Sequence, residues 1–416
     1  MTQEALQRRT LRVLALAQVL GGLGQSAAAA GALLAMDLSG DEALASLPLA
    51  LLVVGAAGTV VPISALSRRA GRRVGLTTAL GIAVLGAGGI VAAGALHSFP
   101  LMLVASVPFG AGNTAVMLAR YAAADLSTPA DRGRAIGRVV FATTFGAVAG
   151  PNLMEPSGRL ATALGLPEMA GLYLCAIVAL ALAALLLLLF LRPDPLQIAA
   201  ALDSFGDEHR VAPRVPLREL LSPTAAVSGL ATMVVANFVM VAVMAMAPVH
   251  MSDQGHDLRF VGLVVSLHIT GMFAPAPITG RLADRFGALP VAGGGTALLI
   301  VAGVLSGTAG HGAFTFALGL TLLGVGWNAA LVAGSALLAS AVPVSQRPRA
   351  EGIGELGMGV TAASATAIAG PLVGLAGHAT LAFVGAIAAA ALGPFLLAVV
   401  RRGVPVTAVP APRMLS

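Results

Sequence analysis

Apolar runs of about twenty residues recur from end to end of this 416-residue chain, and their length limits what it can fold into. A bilayer core of roughly 30 Å is crossed by about 20 residues of helix, whereas a membrane strand needs about half that and alternates in polarity. These runs do not alternate. They cover 13–34, 45–66, 75–95, 100–121, 136–156, 169–191, 225–249, 260–280, 289–309, 313–339, 355–376 and 380–400. With 57% hydrophobic and 10% charged residues, the chain has too little polar surface to cover a soluble body of this size. The expectation is an all-α integral membrane protein of twelve transmembrane helices. The first run has arginines before it but no clear cleavage site ahead of a soluble domain, so it reads as a retained anchor.

Charge placement gives the orientation. All 24 basic residues are arginine, and arginines accumulate on the cytoplasmic side of membrane proteins. Arg8, Arg9 and Arg12, the cluster at 68–73, Arg132 and Arg134, the stretch 192–218, Arg281 and Arg285, Arg347 and Arg349, and the chain from Arg401 fall on one side. Arg159 and Arg259 fall on the other. The sequence thus predicts a multi-pass protein of the cytoplasmic (inner) cell membrane with both termini inside. The net charge of +6 is topology in this reading, because the arginines sit at alternate boundaries without the continuous patch and aromatic platform of a nucleic-acid surface. The single cysteine, Cys175, can form no intrachain disulfide.

The polar, proline-containing stretch at 192–222 separates an N-terminal bundle, 1–191, from a C-terminal bundle, 223–416. The two halves repeat one design. SALSRRAGRR in the first half is a distorted copy of GRLADRFG in the second, with Ser64 and Arg68 placed 216 residues before Gly280 and Asp284. GAGNTA at 110 pairs with GVGWNA at 324, DRGRA at 131 with QRPRA at 346, and Gly150-Pro151 with Gly370-Pro371. The common order of these marks argues for an internal repeat, hence two pseudo-symmetric six-helix bundles enclosing a shared cavity.

On these residues the chain resembles the major facilitator superfamily. GRLADRFG looks like the turn between the second and third helices of each half, and GAVAGPN at 146–152 like the glycine-proline signature of helix five. More narrowly, SLHITGMFAPAPITGRLADRFG, LLGVGWNAALVAGSALL and ARYAAADLSTPADRGRAIG are similar to a bacterial subgroup of mostly unassigned substrate. The resemblance implies secondary transport by alternating access. It also implies that the turn bounded by Gly280 and Gly287, with Asp284 and Arg285, meets the start of helix five, where Arg134 and Arg138 are candidate partners of Asp284. The first copy departs from the pattern, with Arg68 in the acidic position. Glu351 and Glu355, beside Arg349 at the start of helix eleven, are then expected to face Arg68 in a charge-swapped latch.

Polar residues inside the spans are the candidates for substrate or proton. They are Gln18, Gln25, Asn113, Asn152, Asn237, His268, Trp327 and Asn328, with His250 near the outer end of helix seven. Each has a bland alternative: hydrogen bonding between helices for the amides, a bend at Pro151 for Asn152, packing for Trp327, and a satisfied structural histidine for His268. A histidine in mid-span is the sharpest proton candidate. Glu155, near the outer end of helix five, and Glu355, near the inner end of helix eleven, are further protonatable groups. No nucleotide loop, ligand cluster or nucleophile-base constellation stands out, so neither an enzyme nor a cofactor is expected. The sequence reading is a monomeric secondary transporter of a small, neutral or weakly charged organic solute, with protons as candidate coupling ion and lipid around it. Efflux is weakly favoured because the interior lacks fixed charges. Import of a metabolite or nutrient is the alternative, and a non-transporting receptor or assembly protein is the reading from a different class.

Overall fold

The computed structural model describes residues 3–41, 44, 47–204, 220, 224–255, 258–310 and 312–401. Among them the architecture is helical throughout. The first six spanning helices are α1 Gln3–Ser26, α2 Leu47–Ala70, α3 Arg72–Ala95, α4 in two pieces, Phe99–Phe109 and Ala111–Ala124, α5 Arg132–Asn152 and α6 Gly171–Phe190. The second six are α7 Thr224–Asp253, α8 in two pieces, Leu258–Phe273 and Ala276–Phe286, α9 Ala288–Thr308, α10 Ala313–Ala341, and the two arms of Arg347–Arg401. Gly377, at φ 78° and ψ 165°, breaks that last stretch into α11, 347–376, and α12, 378–401. Among the described residues, ten stretches are long and apolar enough by composition to span a bilayer. Dividing the last at Gly377 and adding α5, whose arginines dilute its hydropathy, gives the expected twelve.

The internal repeat is visible in the backbone. Gly71 ends α2 at φ 94° and ψ 166°, and Gly287 ends α8 at φ 91° and ψ 149°. Only glycine adopts such angles without strain, so both copies of the turn depend on the same residue type at equivalent places. Successive helices run antiparallel, which brings the ends of α2, α4, α8 and α10 and the starts of α3, α5, α9 and α11 to one end of the molecule. This is the end that carries most of the arginines, and it is called the latch end below.

The connector, expected over 192–222, begins with a short helix, Pro195–Ser204, and residues 205–219 and 221–223 lie outside the described residues. Asp194 ties its start to the α2–α3 turn by accepting a hydrogen bond from the Arg73 N–H at 2.8 Å. Leu196 and Ala199 of this helix then pack with Leu6 and Leu126 of the first bundle and Val344 of the second. The first residues of the connector, through this helix, are therefore seated across the latch end.

Small residues set the helix spacing within each bundle. A Cβ on Gly146 of α5 would lie 2.0 Å from the Val19 carbonyl of α1, and one on Gly229 of α7 would lie 2.5 Å from the Gly334 carbonyl of α10. Such approach gives dispersion contact where lipid removes the usual hydrophobic drive. The two glycine-proline stretches differ: Gly150 is filled by the Ser26 side chain, whereas Gly370 and Gly374 have open space before them.

Candidate functional site

The two bundles meet in layers at the latch end. In the outermost layer, Gly280 of α8 packs on Gly133 of α5 so closely that a Cβ on Gly280 would lie 2.2 Å from the Gly133 carbonyl oxygen. The Asp284 carboxylate accepts from the Gly133 N–H at 2.8 Å and from the Arg134 N–H at 2.9 Å. These are two of the amides that a helix start leaves unpaired, and the dipole there favours a negative charge. The Arg134 guanidinium is more distant, with Nε 3.8 Å from Asp284 Oδ2. Arg138 is exposed and lines a separate groove of about 570 Å³ with Arg8, Asp131 and Arg134, all in the first bundle. Arg285 is exposed and lies over the Phe286 ring, and Gly287 provides the turn.

The next layer inward is a buried charge cluster. Arg72, the first residue of α3, donates from Nε to Asp125 Oδ2 at 2.8 Å, from Nη2 to Glu351 Oε1 at 2.8 Å and from Nη1 to Glu351 Oε2 at 2.5 Å. Arg347 approaches Asp125 at 3.8 Å, so two arginines face two carboxylates. All four side chains are buried. Charges out of water are tolerated only when paired and hydrogen-bonded, which this arrangement provides.

One turn deeper on α11 stands Glu355, held by Arg120 Nη2 of α4 in a short contact. Arg120 also donates from Nε to Ser335 Oγ at 2.9 Å and from Nη1 to the Met117 carbonyl at 2.7 Å. Its Nη2 donates to the Tyr121 hydroxyl at 3.2 Å, which in turn donates to Glu355 at 3.4 Å. Arg120 is thus held by groups of both halves.

This geometry corrects the expected charge-swapped latch. Glu351 and Glu355 do face the first bundle, but their partners are Arg72 and Arg120, not Arg68. Arg68 lies instead in a groove between α2 and α11 with Arg349. The missed residues were legible only in part. Arg72 sits in an arginine run that topology alone explains, and Arg120 lies at the edge of an apolar run where helix register is not fixed by the sequence.

The polar candidates divide by what they already bind. Gln18 donates to the Val116 carbonyl at 3.0 Å and to Thr143 at 3.1 Å. Trp327 Nε1 donates to Asn237 Oδ1 at 3.1 Å, and Asn237 Nδ2 donates to the Met358 carbonyl at 2.8 Å. Asn328 accepts from Thr279 and donates to the Met272 carbonyl. Asn152 donates to the Val148 carbonyl of its own helix. His268 lies buried between α8 and α10 with Nδ1 2.8 Å from the Leu320 carbonyl, which only accepts, so Nδ1 carries the proton. Its Nε2 has no hydrogen-bond partner among the described residues. Gln25 Nε2 is likewise buried without a partner, beside Gly112 of α4, and Asn113 on the next residue is half-buried. His250 stacks on His378 of α12 with ring centroids 4.5 Å apart, at the end opposite the latch. Glu155 pairs with Arg159 on the exposed face of a short helix.

Beyond the Trp327–Asn237 pair the faces that meet at the latch end become exposed. Along α5, Gly133 and Gly137 are covered by α8, whereas Phe145 and Val148 are exposed. Along α11, Gly352 packs on Ser64 and Gly359 on Ala57 of α2, whereas Ala363, Ala367 and Ile368 are exposed. The pair of bundles is closed at the arginine-rich end and parted toward the other.

Known proteins share this organisation. The chain is 36% identical over 398 residues to the uncharacterized MFS-type transporter YdeG of Bacillus subtilis (strain 168), covering 95% of this chain and 93% of that relative. It is 30% identical over 409 residues to the riboflavin transporter RfnT of Brucella anthropi, covering 97% and 99% of the two chains. Among solved structures, the human organic anion transporter MFSD10 superposes with a TM-score of 0.74 at 18% identity, covering 94% of this chain and 99% of that one. The proton:xylose symporter XylE superposes with a TM-score of 0.75 at 15% identity, covering 95% and 96%. The family model described as Major Facilitator Superfamily matches residues 14–258 and again 229–414, so the chain belongs to that superfamily and is a multi-pass membrane transporter working by alternating access, not an enzyme.

Proposed function

We propose that this transporter takes up a small, neutral or weakly charged metabolite carrying a ring system, with the latch end facing the cytoplasm. The observation that carries this reading is the layered interface, in which buried ion pairs and a capped helix start close one end while the same helix faces part at the other. With the arginine-rich end inside, that arrangement is outward-facing and ready to receive solute. Gln25 Nε2 has no hydrogen-bond partner among the described residues, and Asn113, next in the chain to the Gly112 it packs on, carries both a donor and an acceptor. Phe273, half-buried and edge to face at 6.0 Å with the buried Trp327, offers ring surface above the charged floor.

The named relative RfnT, a riboflavin transporter, supports a ring-bearing metabolite over a drug-like apolar compound. An interior without fixed charge would suit export of an apolar compound, whereas here Arg120 and Glu355 stand at the floor. Glu355 also replaces His268 as the preferred proton site in this proposal, because protonating it neutralises one side of a cross-bundle pair, whereas the His268 ring bonds within its own bundle. A proton on Glu355 weakens its hold on Arg120 and favours opening of the latch end.

The test is counterflow in proteoliposomes with riboflavin and a panel of neutral ring-bearing metabolites. Saturable counterflow of one of them, faster with an inward proton gradient, supports the reading. Counterflow of lipophilic cations alone would favour export, and solute binding without any flux would favour a receptor.

A further inference from the structure

The repeat places Pro348 of QRPRA where Gly133 of DRGRA stands, and Arg349 where Arg134 stands. In the second-half turn, Asp284 accepts from the N–H groups of Gly133 and Arg134. The first-half turn has lost the carboxylate and one of the two amides of that contact. Arg68 stands in place of Asp284, and Pro348 has no N–H to donate. What occupies the equivalent position is a groove of about 400 Å³ between α2 and α11, lined by Arg68, Arg349, Gln346 and Ser64, with Val61 and Ile353 along its apolar side.

Among the described residues, the polar groups that line this groove suit an anion. Arg68 comes from one bundle and Arg349 from the other. The start of α11 at Arg347 turns the positive end of its dipole toward the same place. Ser64 is only 3% exposed, lines the groove, and its Oγ has no hydrogen-bond partner among the described residues. Closing the bundles brings two arginines together where the other copy of the turn brings a carboxylate to amides.

Apolar surface continues from the groove in the direction of the bilayer. Val54, Val61 and Arg68 are spaced by seven residues, two turns along α2, with Val54 58% and Val61 49% exposed. Ile353 and Val360 follow Arg349 along α11, and Val360 is 56% exposed. Both helices therefore present a boundary arginine with aliphatic side chains above it.

We propose that this groove binds the phosphate of an anionic phospholipid, its acyl chains lying along the two aliphatic stripes. The lipid phosphate accepts from Arg68 and Arg349 and from the Ser64 hydroxyl, supplying from the bilayer a negative charge where the other copy of the turn carries Asp284. Because the two arginines belong to different bundles, the bound lipid stabilises closure of the latch end, a consequence that rests on the alternating-access reading above.

The experiment is native mass spectrometry of the full-length protein titrated with phosphatidylglycerol or phosphatidylcholine, alongside thermal stability in inorganic phosphate. Two boundary arginines together correspond to roughly thirtyfold in affinity for an anionic lipid. Wild type is expected to retain phosphatidylglycerol at a roughly thirtyfold lower concentration than R68Q/R349Q, with R68Q and R349Q each in between. R69Q, at the exposed neighbouring arginine, is expected to behave as wild type, and phosphatidylcholine to show no such difference. Equal retention of phosphatidylglycerol by wild type and the double variant would overturn the proposal, as would equal preference for phosphatidylcholine. Equal stabilisation by inorganic phosphate alone, lost in R68Q/R349Q, would assign the groove to a free anion and overturn the lipid. Retention is read without flux, so its failure is distinct from a failure of the proposed transport.

Discussion

Glu351 on the first turns of α11 is held by two guanidinium nitrogens of Arg72 on the first turn of α3, at 2.5 and 2.8 Å, across 279 residues of chain and between the two bundles. The pair is buried, so it contributes only while the bundles are closed at this end; parting them returns both groups to water. A charged hydrogen bond of this kind is worth about 1.5–3 kcal/mol. Glu351→Gln should therefore shift the equilibrium toward latch-end opening by about ten- to a hundredfold. The measurement is the rate at which a water-soluble maleimide modifies a cysteine at Ala336, which is buried against Ile136 and Val140 of the other bundle, in a Cys175→Ala background. An unchanged rate would mean that the pair does not hold the bundles together.

The outer layer depends on the absence of a side chain. A Cβ on Gly280 would lie 2.2 Å from the Gly133 carbonyl, so Gly280→Val should prevent closure, at a cost of about 1–3 kcal/mol in the closed state alone. Flux should fall below roughly a tenth of wild type while the Ala336 cysteine becomes reactive. Gly293→Val, at a position with nothing within 4 Å, serves as the control and should transport normally.

Asp284 acts as a cap on α5 shared between bundles. Removing a helix cap costs about 1 kcal/mol, so Asp284→Ala should lower the closed population by about fivefold. Its effect on maleimide reactivity should be smaller than that of Glu351→Gln. The reverse order would move the main lock from the buried cluster to the turn.

The proton site separates two residues. His268→Asn should lower thermal stability, because Nδ1 loses its bond to the Leu320 carbonyl, while the response of flux to an imposed proton gradient persists. Glu355→Gln should abolish that response and leave counterflow at equal pH intact. Loss of the gradient response in His268→Asn alone would return the role to histidine.

Much of this fold was legible because a membrane span has a fixed length and arginines mark its ends. The repeat was legible because Gly71 and Gly287 need the same unusual backbone, and sequence alone matched their surroundings. The partners across the interface were less so. Nothing in SALSRRAGRR says which arginine of that run turns inward. Arg72 does because it opens α3 beside the end of α4, where Asp125 waits, whereas Arg68 falls one turn earlier, on the face toward α11. Gln18, Asn237 and Trp327 look alike as polar residues in apolar helices, and only their neighbours show that their hydrogen bonds are already used within the bundles.

The most direct test of the account is a pair of distance measurements by pulsed electron spin resonance in one Cys175→Ala background. Labels at Arg69 and Arg285 report the latch end, and labels at Leu164 and Leu375 report the other end; all four positions are exposed, and each pair spans the two bundles. The account predicts that Glu351→Gln combined with Glu355→Gln lengthens the first distance and shortens the second. If both distances stay as in wild type, or both lengthen together, the buried ion pairs do not govern which end is open.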